Sequence, residues 1–203
     1  MDIKIIASGS SGNAYLIGDG KTRLLLDAGI PFKRIQVGCG FRTSSIDGCL
    51  VTHRHGDHAA AIPKLLQRGI TVYSNADVAG LYPGVQSVDA LREFRIGTFR
   101  VLPFEAEHDV PCYGYQATSV ETGEKLVYIT DSAYVKYTFS GLTHIMIEAN
   151  YAQEIIIDNA KHERIPLYLA ERVIQTHMSI ETLLDLLQAN DMSKVRQIYL
   201  LHL

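Results

Sequence analysis

Short apolar runs that close on a polar residue recur along the chain and set its expected elements. Residues 2–7, 14–17, 23–27, 48–52, 70–74, 98–103, 113–119, 125–130, 144–148 and 195–201 have strand length and are rich in Ile, Leu, Val and Tyr. Residues 121–124, Glu-Thr-Gly-Glu, form a plausible hairpin turn between two of them. Helical stretches are expected at 59–67, ending before Gly69, across most of 152–175, and at 180–189. Pro166 must start or break the second, because proline has no N–H for a helix interior. Ser179 is a good N-cap for the third, whose apolar residues recur at Leu183, Leu184 and Leu187. Strands, interspersed helices and strands again suit two packed sheets covered by helices on both faces. No linker, repeat or low-complexity tract interrupts the 203 residues, so 1–203 reads as a single domain.

The ends of these runs carry the chemistry. Directly after Leu50-Val51-Thr52 comes His53-Arg54-His55-Gly56-Asp57-His58, three imidazoles and a carboxylate within six residues. Packing does not explain such a cluster, because buried polar groups need partners and several here would have none. Alternate side chains of an extended segment point the same way, so His53 and His55 can share one cation. The turn through Gly56 lets Asp57 and His58 face a second one. Imidazole nitrogen with carboxylate oxygen suits zinc first, and also manganese or iron.

The pattern His-x-His-x-Asp-His resembles the signature of the metallo-β-lactamase superfamily of metallo-hydrolases, and other segments are similar to its remaining motifs. Leu24-Leu25-Leu26-Asp27-Ala28-Gly29 resembles the apolar strand whose aspartate braces the histidine loop. His108 in Glu107-His108-Asp109, Asp131 in Ile129-Thr130-Asp131-Ser132 and His202 after Tyr199-Leu200-Leu201 look like the later ligand positions. The resemblance implies a four-layer αββα sandwich. It also implies two divalent metal ions: His53, His55 and His108 on the first, Asp57, His58 and His202 on the second, and Asp131 bridging. Asp27 is then expected to orient a ligand by hydrogen bonding rather than to coordinate.

Within the superfamily, the likeness is to bacterial exonucleases linked to cell-wall metabolism. Ala7-Ser8-Gly9-Ser10-Ser11-Gly12-Asn13 is similar to their serine- and glycine-rich N-terminal loop. Ile147-Glu148-Ala149-Asn150 resembles a Glu-Ser-Asn-His segment, and Thr176-His177-Met178-Ser179 a Gly-His-Leu/Val-Ser motif. By this likeness Asp57, Asp131 and His177 stand at the reaction itself, with His177 touching the phosphate or protonating the leaving oxygen. Tyr151 replaces the subfamily's histidine, Thr176 replaces its glycine, and the sequence ends one residue after His202, where the family's His-Leu-Ser motif continues.

Composition narrows the function classes. A net charge of −3 and a pI near 6.2 argue against tight non-specific gripping of nucleic acid, which uses a basic face. Two bound cations would supply positive charge where a phosphate sits, so a phosphodiester partner, nucleic acid foremost, remains compatible. No apolar run approaches a membrane span of about 20 residues. The chain opens on a strand rather than a basic and then apolar leader, and Cys39, Cys49 and Cys112 lack disulfide or CxxC spacing. A cytoplasmic protein with reduced thiols is expected, and self-association is compatible with all of this. Only Cys112 is expected near the site. His144 is expected to be a satisfied strand-end residue, His162 to be exposed, and Tyr113, Tyr115 and Tyr128 to be core. The leading function is a phosphodiesterase or nuclease on DNA or RNA, acting through a metal-activated water. A hydrolase of a small ester, lactone, thioester, β-lactam or cyclic nucleotide is the second reading, and a non-catalytic metal-binding module the third.

Overall fold

The computed structural model describes every residue from Met1 to Leu203. The first sheet runs, in spatial order, β1 (Asp2–Ala7), β2 (Ala14–Gly18), β3 (Arg23–Leu26), β4 (Gly48–Leu50), β5 (Val72–Ser74) and β6 (Gln86–Ser87). The second is built from β7 (Phe94–Ile96), β8 (Phe99–Ala106), β9 (Cys112–Ser119), β10 (Lys125–Ile129), β11 (His144–Glu148) and β12 (Gln197–Leu201), again adjacent in sequence order. β1 to β3 are antiparallel neighbours and β3 to β6 are parallel. β7 to β10 alternate in direction, and β10 to β12 are parallel. Two antiparallel pairings separate β8 from β10, so these two also end on the same side.

Side-chain alternation builds three apolar layers from strands that read as unbroken apolar runs. Leu24 and Leu26 point inward while Leu25 points outward; Leu126 and Tyr128 point inward while Val127 and Ile129 point outward. Such runs belong to sheets covered on both faces. Tyr15, Ile17, Leu50, Phe99, Tyr115 and Met146 join the inward set to fill the space between the sheets. Ile35, Ile62, Leu65 and Val78 cover the outer face of the first sheet, from α1 (Phe32–Gly38), α3 (Ile62–Gln67) and α4 (Ala76–Leu81). Leu183 and Leu186 of α7 (Ile180–Gln188) cover the second. Fully burying one such side chain stabilises by about 1.5–3 kcal/mol, so the layered core holds the frame of the site. This is the four-layer arrangement that the sequence implied.

Several boundaries differ from expectation. The helix expected over 59–67 is two: α2 (Gly56–Ala59), which carries Asp57 and His58, and then α3, with Pro63 in its first turn. Proline cannot continue a helix interior, so the chain restarts there. The stretch 152–175 divides into α5 (Gln153–Lys161) and α6 (Leu167–Thr176), with Pro166 at the N-cap of α6. Ser179 caps α7 by accepting from the Thr182 N–H. α1 and α4 were not expected; each buries a single apolar residue, too little to show as a periodic stripe. His144 is buried with Nδ1 on the Thr143 hydroxyl, and His162 is exposed beside Asp158. Tyr115 and Tyr128 are core, whereas Tyr113 is half-buried. All three cysteines are free and buried. No helix is long and apolar enough to cross a membrane.

Asp19 ties the sheets together away from the site. Its carboxylate accepts the Thr98 and Ser119 hydroxyls, both at 2.6 Å, and the Lys21 and Thr22 amides. Burial alone would raise its pKa, but these donors, Ser119 first, bring it from 3.8 to about 2. A depressed carboxyl pKa gives stability that is present above the unfolded value and is lost as pH falls through the folded one. Asp19→Asn should therefore unfold more easily than the parent at pH 7, by about 1–2 kcal/mol in a denaturant melt. The difference should shrink as pH falls from about 4 to 2. A gap that stays constant over that window would contradict the assignment.

Candidate metal centre

Most of the candidate residues stand at or just past the carboxyl end of a strand. Asp27 follows β3, His53 follows β4, and His108 follows β8; Asp131 follows β10, Glu148 ends β11, and His202 follows β12. Asp27, Asp131 and His202 have φ of 55°, 48° and 51°, half of the six non-glycine residues with positive φ. The left-handed region costs an L-residue about 1–2 kcal/mol. Here it turns the chain out of the strand at once, leaving each side chain at the rim between the sheets.

Asp27 organises the first half of that rim. It is fully buried. Its Oδ2 accepts from His58 Nδ1 at 2.7 Å and the Tyr128 hydroxyl at 2.6 Å. Its Oδ1 accepts the Thr52 amide at 2.8 Å and the Thr52 hydroxyl at 3.1 Å. That hydroxyl also lies 3.0 Å from His53 Nδ1. Both rings are thereby fixed with Nε2 outward. The neighbouring backbone is locked as tightly. Asn13 N–H donates to the Asp57 carbonyl and Ala28 N–H to the His58 carbonyl. A Cβ on Gly29 would stand 1.5 Å from the Asp57 carbonyl oxygen, and one on Gly12 2.3 Å from that of Gly29. Only glycine lets these three segments stack.

Glu148 organises the second half. It is also fully buried. Oε1 accepts from His177 Nδ1 at 2.6 Å and His202 Nδ1 at 2.8 Å, and Oε2 from the Ser132 and Met178 amides. His202 is further held by Ser8 Oγ on its N–H and Asn150 Nδ2 on its carbonyl. His108 Nδ1 donates to the Thr176 carbonyl at 2.9 Å, again leaving Nε2 toward the other rings.

The nitrogens so oriented converge. His53 Nε2 lies 3.0 Å from His55 Nδ1, which lies 3.3 Å from His108 Nε2. Ligands of a tetrahedral zinc at about 2.0–2.1 Å are separated by about 3.3 Å, so this trio has the spacing of one cation's ligands. His58 Nε2 faces Asp131 Oδ1 at 3.1 Å, and Asp131 Oδ1 is 3.4 Å from His202 Nδ1. Three sets of donors lie within 4.8 Å of one another: His53, His55 and His108; His53, His58 and Asp131; and Asp131, Glu148, His177 and His202. Asp131 and His53 each belong to two of these sets. Asp57 stands at the margin, its Oδ2 3.5 Å from His58 Nε2 and outside these sets. His202 Nε2 is buried with no hydrogen-bond partner. Imidazole nitrogens at contact distance and an orphaned buried nitrogen are what a bound cation would satisfy; the residues fit divalent metal.

Electrostatics agree. Burial, then the neighbouring His58 charge, hold His53 well below the ordinary histidine pKa, and burial lowers His108. Burial would lower His58 too, but the Asp27 and Asp131 carboxylates push it well above that range. Burial would raise Asp131, yet His58 above all keeps it well below the usual carboxylate value.

The cavity of about 580 Å³ over these groups is lined by His55, Asp57, His108, Asp131, His177 and His202, with Ser10, Asn150 and Arg172 at its margins. The serine- and glycine-rich loop joins β1 to β2 as a hairpin and still brings Ser10 to the cavity. Tyr151 bridges to Ser179 and does not line the cavity. Cys112 Sγ lies 3.8 Å from His53 Nδ1. Sequence reasoning gave no role to Glu148, Thr52, Tyr128 or Asn13. The available signal was the strand-end rule for Glu148, which closes the apolar run 144–148; the other three are visible only once the sheets meet.

Family comparison accords with the geometry. A beta-lactamase superfamily domain model matches residues 22–203, and the chain belongs to that family. It is a hydrolytic enzyme of the metallo-hydrolase kind. It is similar to the exodeoxyribonuclease WalJ of Streptococcus pneumoniae, 26% identical over 98% of this chain and 80% of that protein. It is equally similar to the exodeoxyribonuclease YycJ of Bacillus anthracis, 26% identical over 100% of this chain and 82% of that one. Among solved structures, the metallo-beta-lactamase fold protein YhfI of Bacillus subtilis superposes with a TM-score of 0.73 at 20% identity, over 98% and 85% of the two chains.

Asp27→Asn tests the bracing directly. It should lower metal affinity by about 10–100-fold in chelator competition, the usual cost of losing a ligand's hydrogen-bond partner. It should also destabilise the fold by about 3 kcal/mol or more, since buried donors lose a charged acceptor. Unchanged metal affinity would show that Asp27 does not hold His58 for a metal.

Proposed function

We propose that the chain is a metal-dependent phosphodiesterase acting on nucleic acid, with residues 1–203 working as one domain and two divalent cations, zinc before manganese or iron, in its centre. The proposed ligands are His53, His55 and His108 for one cation, Asp57, His58 and His202 for the other, and Asp131 between them. Similarity to two exodeoxyribonucleases over nearly the whole chain supports this reading. Buried free thiols suit a cytoplasmic setting.

The observation that carries the reaction type is His177. Its ring lies on the cavity wall, with centroids 6.0 Å from His108 and 5.1 Å from His202. Glu148 takes Nδ1 at 2.6 Å, which leaves Nε2 as its free nitrogen. A histidine held this way beside a binuclear centre is placed to protonate a leaving oxygen. When bound, the metal pair supplies a water of lowered pKa and offsets charge on the phosphoryl oxygens. Asp57, half-buried in the cavity lining, accepts the proton from the attacking water. As the P–O bond to the departing nucleoside breaks, His177 Nε2 delivers a proton to that oxygen, with the ring held in place by Glu148 on Nδ1.

His177→Ala should keep its metal content and lose about 10²–10⁴-fold in kcat on single-stranded DNA, the range for a lost acid–base group. Asp131→Ala should lose both activity and metal, measured by elemental analysis. The substrate class is read from kcat/KM on single- and double-stranded DNA, RNA, bis-p-nitrophenyl phosphate, a lactone and nitrocefin. Efficient lactone turnover without phosphodiester cleavage in zinc or manganese would replace this reading with that of a small-ester hydrolase.

A further inference from the structure

One face of α6 forms a wall of the cavity. Leu169, Arg172 and Val173 all line it, at the i, i+3 and i+4 spacing of one helical face. Thr176, one turn after Arg172, gives its carbonyl to His108 and its hydroxyl to the Arg172 carbonyl at 2.8 Å. Arg172 therefore sits about one turn, or 5.4 Å, along the helix from the point where α6 touches the centre.

Arg172 is the one lysine or arginine among the residues lining this cavity. Of the arginines elsewhere, Arg54, next to the metal loop, pairs with Asp77 at 3.4 Å, Arg164 with Asp158 at 2.8 Å and Arg196 with Glu124 at 3.1 Å, whereas Arg34, Arg42, Arg68 and Arg95 lack a carboxylate partner but do not line this cavity. Arg172 is exposed, and no carboxylate pairs with its guanidinium. Beside it, Leu169 is 38% exposed and Val173 is half-buried, so the cation stands next to an open apolar strip. A guanidinium fork matches two phosphate oxygens, and an apolar strip matches a base or sugar face.

We propose that this face of α6 is a binding subsite for the nucleotide adjoining the scissile one, with Arg172 on its phosphate and Leu169 and Val173 against its nucleoside. It rests on the phosphodiesterase reading and deepens it. The enzyme distinguishes a chain of at least two phosphates from an isolated phosphodiester. The metal centre handles the reacting phosphate, and α6 the next one.

The test compares metal-loaded wild-type and variant protein on a thymidylate tetramer and on bis-p-nitrophenyl phosphate, which has one phosphate. Arg172→Ala should lower the ratio of kcat/KM for the tetramer to that for the single diester by at least about tenfold, the low end for one well-placed charged contact. The slope of log kcat/KM against log salt for the tetramer should become shallower by about 0.7, one single-strand phosphate contact. Arg172→Lys should restore the slope and part of the ratio. Leu169→Ala with Val173→Ala should lower the ratio while leaving the slope alone. Equal loss on both substrates, or no loss on either, would overturn the subsite and leave the phosphodiesterase reading standing. Wild-type protein that cleaves neither substrate when metal-loaded would overturn both.

Discussion

The Asp27 carboxylate has no exposure to water, and its stability depends on four donors from three residues, two in the segment 52–58 and one on the second sheet. Taking a carboxylate out of water costs several kcal/mol, and hydrogen bonds to a charged group return about 1.5–3 kcal/mol each. That balance is met only if Thr52, His58 and Tyr128 are all in place. Tyr128 belongs to the second sheet and Thr52 to the end of a strand in the first, so one buried charge requires the two sheets to meet in one register. It also fixes the His58 ring, and through the Thr52 hydroxyl the His53 ring. Glu148 repeats the device on the opposite side, with His177, His202 and two amides around a second buried carboxylate.

These two carboxylates explain how a site can be both costly and rigid. Six imidazoles face a small space, a density that in apposed neutral rings would leave nitrogens without partners. The fold accepts positive φ at Asp27, Asp131 and His202 and leaves no room for a Cβ at Gly12 or Gly29. The layered core on both faces of the sheets offsets such local costs. The geometry that results places donors for divalent metal on one wall of a cavity that is also lined by His177 and by Arg172, which has no carboxylate partner.

Much of this was legible in the sequence because strand ends announce themselves. An apolar run closing on Asp27, Asp131 or His202 marks both an element and the rim it reaches, and the cluster at His53–His58 is too dense for packing to explain. The residues brought together by the fold are the His53–His58 cluster, legible from its density, and Asp27, His108, Asp131, His177 and His202, which only the family resemblance implied. Glu148 opens the segment that resembles the Glu-Ser-Asn-His motif, yet its role stays hidden there, since a single acid at a strand end does not reveal which rings will approach it. Thr52 and Tyr128 read as ordinary strand residues, because their hydroxyls acquire a purpose only across the sheet interface. Asp57, expected among the ligands, lines the same cavity with its Oδ2 3.5 Å from His58 Nε2, on α2, a helix starting three residues earlier than the pattern indicated. The short helices α1 and α4 carry too few apolar residues for periodicity to register.

Hydrolysis of nucleic acid by this chain should depend on a pair of cations held by this rim. The most direct measurement is cleavage of single-stranded DNA by metal-depleted protein as zinc or manganese is added back, with bound metal counted at each step. Activity should be absent without metal and should rise to a plateau at two equivalents per chain. A plateau at one equivalent, or full cleavage by the metal-free protein, would contradict it.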